Sequence, residues 1–421
     1  MANYKKLMTN YCLVLVRSCV YPNERQIQDR GTEVDKQLGT LRGLQFWTFA
    51  TNGVAAPFLP LYFDNQGYTS AQIGVLMMIG SLLAIFFQPL WGYMSDRMQT
   101  VKKVVFLLWS IALLCSIGLF LSESYAYTFW FVLLMYFFLQ PSYPLLDSVS
   151  IQSAMRRGAT YGSIRMFGSI GFASMALIGG YVLQLLGGIS NLGFFLISVS
   201  FIPLILMLRL RDEPAEGKRM TIDLLKGILK NRTFLMFLML VFLISIPQRM
   251  NDVMFGLYLL SNGGTDSMVG WGWAIAAGVE LPAFLLINRY LKRIHEFALI
   301  GVVGILFSVR WFLYTVFTEP WMLLMLQAGA MVTFAVFWIS AVHYTARILP
   351  VQLGATGQSV LAMVFIGLAG IVGSSVGGWL KDNYGGASMY FFAASVSLLG
   401  GIGFLFVHFS SRRGRIKSFS T

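Results

Sequence analysis

Charge is what this sequence has least of. Acidic and basic residues make up 12% of its 421 residues, about half of what a soluble globular domain carries, and a soluble protein is thereby excluded. Histidine and cysteine are equally scarce, with three of each. Cys12, Cys19 and Cys115 have neither a metal-ligand spacing nor the even, repeated pattern of a disulfide framework; Cys115 reads as a small apolar filler. The sequence contains no G-x-x-x-x-G-K-[ST] loop and no H-E-x-x-H, so ATP-driven pumping and zinc proteolysis lack their machinery. No metal, no cofactor and no enzymatic activity are expected.

What is present is apolar sequence in long runs. Hydrophobic residues account for 57% of the chain, mean hydropathy is +0.68, and runs of bilayer-spanning length recur along most of it. Twelve spans are predicted, at roughly 41–63, 70–93, 101–121, 126–149, 161–185, 190–209, 233–260, 267–289, 296–316, 320–343, 357–380 and 387–408. The expected fold class is an all-α integral membrane protein with two six-helix, pseudo-symmetric bundles. The net charge of +13 follows the same topology. Alternate short loops hold Arg97, Lys102 and Lys103, then Arg156 and Arg157, then Arg289, Lys292 and Arg293, then Arg347, while the opposite loops hold only Lys381 at a rim. With a bacterial cell membrane as the expected location, that bias predicts both termini in the cytoplasm. It also makes the basicity a matter of orientation, with the lipid bilayer and not a nucleic acid as partner. A monomer is expected.

The expected organisation is an N-terminal cytoplasmic segment at 1–39, a first bundle at 40–209, a central cytoplasmic loop at 210–232, a second bundle at 233–409 and a basic tail at 410–421. Residues 1–37 are too polar and too short in apolar sequence to span or to act as a secretory signal. Either they form a cytoplasmic tail, or translation starts downstream at Leu38, since the codons of Thr32–Glu33–Val34 can contain a ribosome-binding sequence. In the central loop, Ile222, Leu225 and Ile228 fall at helical spacing, which predicts a short helix lying on the membrane surface.

The halves echo each other. A shift of 192 residues superposes Gln88 on Glu280, Asp96 on Asn288 and Arg97 on Arg289, and a shift of 198 superposes "GGYV" (179–182) on "GGWL" (377–380). Such repeats are expected of transporters that rock about a central site. The fifth and eleventh spans are rich in glycine and serine, which lets helices approach closely. Those faces serve static packing or slide during transport.

In "QPLWGYMSDRM" (88–98) an acid and a base interrupt apolar sequence at a helix C-terminus, where the helix dipole disfavours the acid. Asp96 therefore needs a cation or the N-terminus of another helix, and the start of the eleventh span, Gly354 to Gln358, begins on the same side. Gly92-x-x-x-Asp96-Arg97 followed by Lys102 and Lys103 resembles the loop 2–3 signature of the major facilitator superfamily, with a resemblance that covers residues 40–410. It implies that Gly92, Asp96 and Arg97 gate the cytoplasmic side. Gln99 and Thr100 stand where that family has a glycine and a base. "YGSIRMFGSIGF" (161–172) and "GATGQSV" followed by "GLAGIVGSSVGGWL" (354–380) resemble the branch of lactose-permease-like, nucleoside and phenylpropionate proton symporters. The fifth span lacks the Gly-Pro signature of drug–proton antiporters, which favours import.

Charges well inside the spans are few: Arg165, Arg249 and Arg310, and the acids Asp147, Asp252 and Glu280. Each costs roughly 2.5–3.5 kcal/mol at a helix centre on insertion scales, so they are expected in pairs or facing a wet cavity. Arg249 and Asp252 share one helix face. Proton coupling needs a carboxylate whose proton affinity rises with desolvation and falls beside a cation; Glu280, paired with Arg310, is the first candidate, with Asp252 and Arg249 beside it. A purely structural Glu280–Arg310 pair is the alternative. The resemblance implies a substrate-binding role for Asp147 and Arg165. Asn52, Gln358 and Trp338 are further substrate-binding candidates, beside Trp47, Trp273 and Trp311, whose rings can stack on a solute. His343 is expected at the membrane interface. The expected function is proton-coupled uptake of a small organic solute (a sugar, nucleoside or aromatic acid) by alternating access, with proton-driven efflux and a non-transporting membrane sensor as alternatives.

Overall fold

A computed structural model describes residues 24–212, 231–291, 295–349 and 354–418; the side chains of 24–35, Pro89, Asp96, 281–291, 354–355 and 411–418 are outside the description. The predicted surface helix at Ile222, Leu225 and Ile228, the loop bases Lys292 and Arg293, and Cys12 and Cys19 fall outside the described residues, as do the side chains of Arg289 and the basic tail. Apolar sequence in a bilayer must satisfy its own backbone, and among the described residues the chain is helical with no strand.

The helices run α1 Glu24–Asn65, α2 Ser70–Met98, α3 Val101–Phe120, α4 Tyr125–Leu139, α5 Ser142–Arg156, α6 Gly162–Leu185 and α7 Leu192–Arg209. After residues 213–230 come α8 Arg232–Ser261, α9 Asp266–Leu291, α10 Glu296–Val316, α11 Pro320–Gln327, α12 Phe334–Ile348, α13 Gly354–Ala362 and α14 Ala369–Ser418. Nine stretches among the described residues are long and apolar enough to cross a membrane; the last, Thr356–Ser410, is two helices joined across a kink at Gly385, whose φ is 82°.

Helix starts are fixed by side chains that accept the first free N–H groups. Thr100 accepts from Lys103 N at the head of α3, and Asn231 accepts from Phe234 N at the head of α8. Thr69 and Gln72 exchange bonds at the head of α2: Thr69 N donates to Gln72 Oε1, and Gln72 N to Thr69 Oγ1. Within the N-terminal half, α1 packs on α6 and α7, and α3 on α4 and α7; the indole of Trp109 donates to Ser200 O at 2.9 Å to tie α3 to α7. In the C-terminal half, α14 packs on α8 and α10 around a fully buried aromatic cluster that includes Trp311, Tyr314 and Tyr390.

Several local features depart from expectation. The first helix starts at Glu24, not near residue 41, because the polar stretch before the span is rich in good helix formers. Gln37, within the expected N-terminal segment, is buried and exchanges bonds with the backbone of Arg211 at 3.3 and 3.1 Å. The predicted tenth span is broken: α11 passes into a tight 3₁₀ turn at Ala328–Met331 before α12 begins. The fourth span is interrupted at Gln140–Pro141, and the eleventh contains a π-helical segment, Met363–Leu368.

The sequence halves meet along α2 with α14 and α6 with α9. Their crossings are tightest on the face opposite the chain termini, called distal here. A Cβ on Gly378 of α14 would lie 2.1 Å from the carbonyl of Ser70, and one on Gly180 of α6 would lie 2.7 Å from Cα of Ser267. Only glycine permits such backbone approach. Hydrogen bonds join the halves on this face: Ser267 to Gln184 at 3.0 Å, Trp271 to Tyr181 at 2.8 Å, and Lys381 Nζ to Ser70 Oγ at 3.0 Å. The distal face is closed.

Candidate functional site

A cavity of about 420 Å³ lies between the sequence halves, within the range of small-molecule sites. One wall comes from α1 and α6: Phe49, Asn52, Arg165, Ser169 and Phe172. The other comes from α8, α9, α10 and the broken tenth span, and holds Arg249, Asp252, Glu280 and Arg310 with the amides Gln248, Asn251 and Gln327. Trp273 and Phe172 meet edge to face at 5.8 Å, bridging the two walls.

The charges are arranged unequally. Arg249 and Asp252 form an ion pair at 2.9 Å on one face of α8; Gln248 donates to the same carboxylate at 2.9 Å, and the guanidinium lies 4.1 Å over the Phe365 ring. Arg310 does not form the expected direct pair with Glu280. It donates instead to Leu326 O at 2.9 Å, Thr333 Oγ1 at 3.2 Å and Gln327 Oε1 at 2.5 Å. The break in the tenth span is the reason: where α-helix gives way to 3₁₀, carbonyls lose their usual partners and become available to a side-chain donor. The Glu280 carboxylate has no hydrogen bond or ion pair among the described residues, and faces the cavity.

On the other wall Arg165 approaches Asp147 at 3.9 Å and sits 3.9 Å over the Phe49 ring. Asp147 does not itself line the cavity; Gln45 donates to it at 2.8 Å from α1. Arg165 Nη1, Arg249 Nε and Gln248 Oε1 are buried with no hydrogen-bond partner among the described residues. These two donors and one acceptor belong to residues on the walls but are themselves covered, so only a turn of these side chains would bring them to a solute.

The structure thus brings Asn52, Arg165, Arg249, Asp252, Glu280 and Arg310 to one cavity, with Asp147 just behind it. Gln358 and Trp338 are placed elsewhere: Gln358 donates to Val342 O at 2.8 Å, and Trp338 packs on Phe365 at 4.8 Å. Trp273 is the tryptophan at the cavity. Gln248, Asn251, Gln327 and the rings of Phe49, Phe172 and Phe334 were missed. The criterion that found the charges, polarity inside an apolar span, also picks out the three amides; nothing local marks which phenylalanines leave the lipid. His343 contacts the buried Glu296 at 3.0 Å, beside Arg347 at 2.7 Å.

At the gating motif, Arg97 is exposed, a Cβ on Gly92 would meet nothing within 4 Å, and the Asp96 side chain is outside the description. The loop that follows is anchored elsewhere. Gln99 takes a positive φ of 51°, a conformation that usually calls for glycine. Thr100 bonds to the carboxylate of Asp212, which also accepts from Lys102 N at 3.2 Å. Residues that depart from the family signature therefore shape this turn and tie it to the start of the central loop.

The sequence profile of the MFS_1 like family matches residues 38–393. An uncharacterized transporter of Bacillus subtilis, YwbF, is 26% identical over 87% of this chain and 92% of its own. The maltose permease of Geobacillus stearothermophilus is 28% identical over 84% and 90%. The solved nucleoside transporter NupG superposes with a TM-score of 0.78 at 19% identity, over 88% of this chain and 98% of that one, a likeness of fold. A central cavity between helical halves, a match over most of the chain and permease relatives of full length converge: this multi-pass membrane protein belongs to the MFS_1 like family of the major facilitator superfamily, and is a transporter, not an enzyme.

Proposed function

We propose that the protein takes up a small, neutral, hydroxylated solute, a sugar or nucleoside, together with protons by alternating access. The observation that carries this reading is the Glu280 carboxylate, which faces a central cavity without a partner while the neighbouring arginines are engaged. A carboxylate in that position can take a proton without breaking an existing pair, and tilting of the halves changes its exposure to water and to Arg249, Asp252 and Arg310. The membrane gradient supplies the drive, at about 2.3 kcal/mol per charge per 100 mV.

The solute class rests on the walls. Each arginine at the cavity already has an acceptor, so a carboxylate solute would compete for every cation it met. Hydroxyl groups, which donate and accept, suit a wall that mixes guanidinium donors with the amides of Asn52, Gln248, Asn251 and Gln327. Phe49, Phe172 and Trp273 offer apolar faces of the kind that stack on sugar or base rings. The maltose permease relative is consistent with this class.

In proteoliposomes, Glu280→Gln should abolish pH-driven accumulation and leave solute exchange intact; accumulation that survives the substitution overturns the coupling role. A thermal-shift screen over sugars, nucleosides and aromatic acids tests the solute class, and stabilisation by aromatic acids alone would reassign it. Proton-driven loss of preloaded solute in oriented vesicles would make the protein an exporter.

A further inference from the structure

The two distal crossings are built on one pattern. "GGYVLQ" (179–184) and "GGWLKD" (377–382) are 198 residues apart, and in each the second glycine lies against the first residues of a helix from the other half. Four residues after that glycine, a polar side chain reaches the same helix start: Gln184 accepts from Ser267 Oγ at 3.0 Å, and Asp382 reaches the head of α2. At that position the repeats differ, one carrying an amide and the other a charge.

Asp382 does more than touch α2. Its two carboxylate oxygens accept the backbone N–H groups of Ser70 at 2.9 Å and Ala71 at 2.6 Å. Gln72 N is satisfied by Thr69 Oγ1 and Ile73 N by Thr69 O. The four N–H groups at the head of α2 that no helix can satisfy internally, those of Thr69, Ser70, Ala71 and Gln72, are thus shared between its own Thr69–Gln72 cap and a carboxylate from the opposite half. The helix heads explain why only one crossing is charged. α9 carries its own acid in its first turn, Asp266, whereas the first turn of α2 has none. A second carboxylate at position 184 would meet Asp266; a carboxylate at 382 meets an uncompensated positive helix end.

We infer that Asp382 is a detachable N-cap for α2, a charged latch that selectively stabilises the distally closed state, with Lys381 holding Ser70 beside it. Outward opening separates α14 from the head of α2, so the cap exists in one state of the transport cycle and is lost in the other. With the termini inside, as the distribution of bases expects, the latch sits on the outer face.

The test is electron-paramagnetic distance measurement on the full chain. Spin labels are placed at Glu123→Cys and Glu319→Cys, exposed positions in distal loops of the two halves, with the native cysteines replaced. Asp382→Ala should raise the ratio of the wide to the narrow separation about fivefold, the factor that loss of one helix cap gives. Asp382→Gln, which copies the other crossing, should raise it by roughly two- to threefold because it keeps an acceptor but loses the charge. Both proteins are checked for a single folded species by size exclusion and thermal unfolding. If Asp382→Ala does not fold, Asp382→Gln decides. A distance distribution unchanged in the folded variants overturns the latch and leaves Asp382 a local cap; the coupling role of Glu280 is untouched by either result.

Discussion

The α6–α9 and α14–α2 crossings close the same face with the same backbone geometry, yet by different chemistry. At α6–α9 the contact is neutral: Gly180 against Ser267, and hydrogen bonds from Ser267 and Trp271 to Gln184 and Tyr181. At α14–α2 it is ionic: Gly378 against Ser70, with Asp382 and Lys381 both engaged at the head of α2. The difference teaches that a duplicated scaffold fixes where two helices meet, while the charge already present at each helix head decides which side chain can close the contact. Two-fold shape therefore does not imply two-fold energetics, and opening need not load both crossings equally.

The largest expected effect comes from breaking what the crossings share. Gly378→Leu puts a branched side chain where even a Cβ would be 2.1 Å from a backbone oxygen, so distal closure should fail and gradient-driven transport should be lost. Gly180→Leu should do the same. Alkylation of a cysteine placed in the cavity wall at Ser169 by a reagent added from outside measures it: reactivity should rise strongly in both, and labelling at the unsubstituted rate in either shows that the crossing is not a closing contact. Exchanging the chemistry is the intermediate test. Gln184→Asp sets a second carboxylate beside Asp266 and should raise the ratio of wide to narrow spin-label separations about threefold, since like charges at a partly exposed contact are worth a few tenths to one kcal/mol. Adding Asp266→Asn should bring the distribution back; no recovery argues against the charge-based account of the asymmetry. The smallest change is expected from Gln184→Ala, which removes one exposed, neutral hydrogen bond and should shift the populations less than about twofold. A shift as large as that of Asp382→Ala would erase the distinction between the crossings.

Much of the fold was open to reading because its driving force is compositional. Long uncharged runs such as "IGVLMMIGSLLAIFF" cannot reside anywhere but in a bilayer or a core. The internal echo of Gly179–Gly180 and Gly377–Gly378 marks two small-residue faces in sequence, whereas their partners, the heads of α9 and α2, come from the packing. The candidate site was legible in part, because ions in a membrane are expensive and so stand out: Arg165, Arg249, Asp252, Glu280 and Arg310 all line the cavity. Their pairing was legible only where it is local. Arg249 and Asp252, three residues apart on one helix, form the expected bond; Arg310 and Glu280, on different helices, do not, because a break at Ala328–Met331 presents Arg310 with nearer acceptors. The aromatic lining was not legible, since Phe172 at the cavity and Phe194 at an exposed position are the same residue type inside apolar spans, and composition does not say which of the two faces another helix.

By itself the sequence determined a polytopic helical membrane protein, its duplicated pattern and the set of ions that must be accommodated inside it, because transfer free energies and helical periodicity are properties of residues and short segments. Which of those ions pair, which carboxylate is left facing the cavity, and that Asp382 caps a helix beginning 312 positions earlier in the chain were decided by tertiary structure alone. Hydrogen bonds and ion pairs act over a few ångströms, and only packing brings such distant residues within that reach.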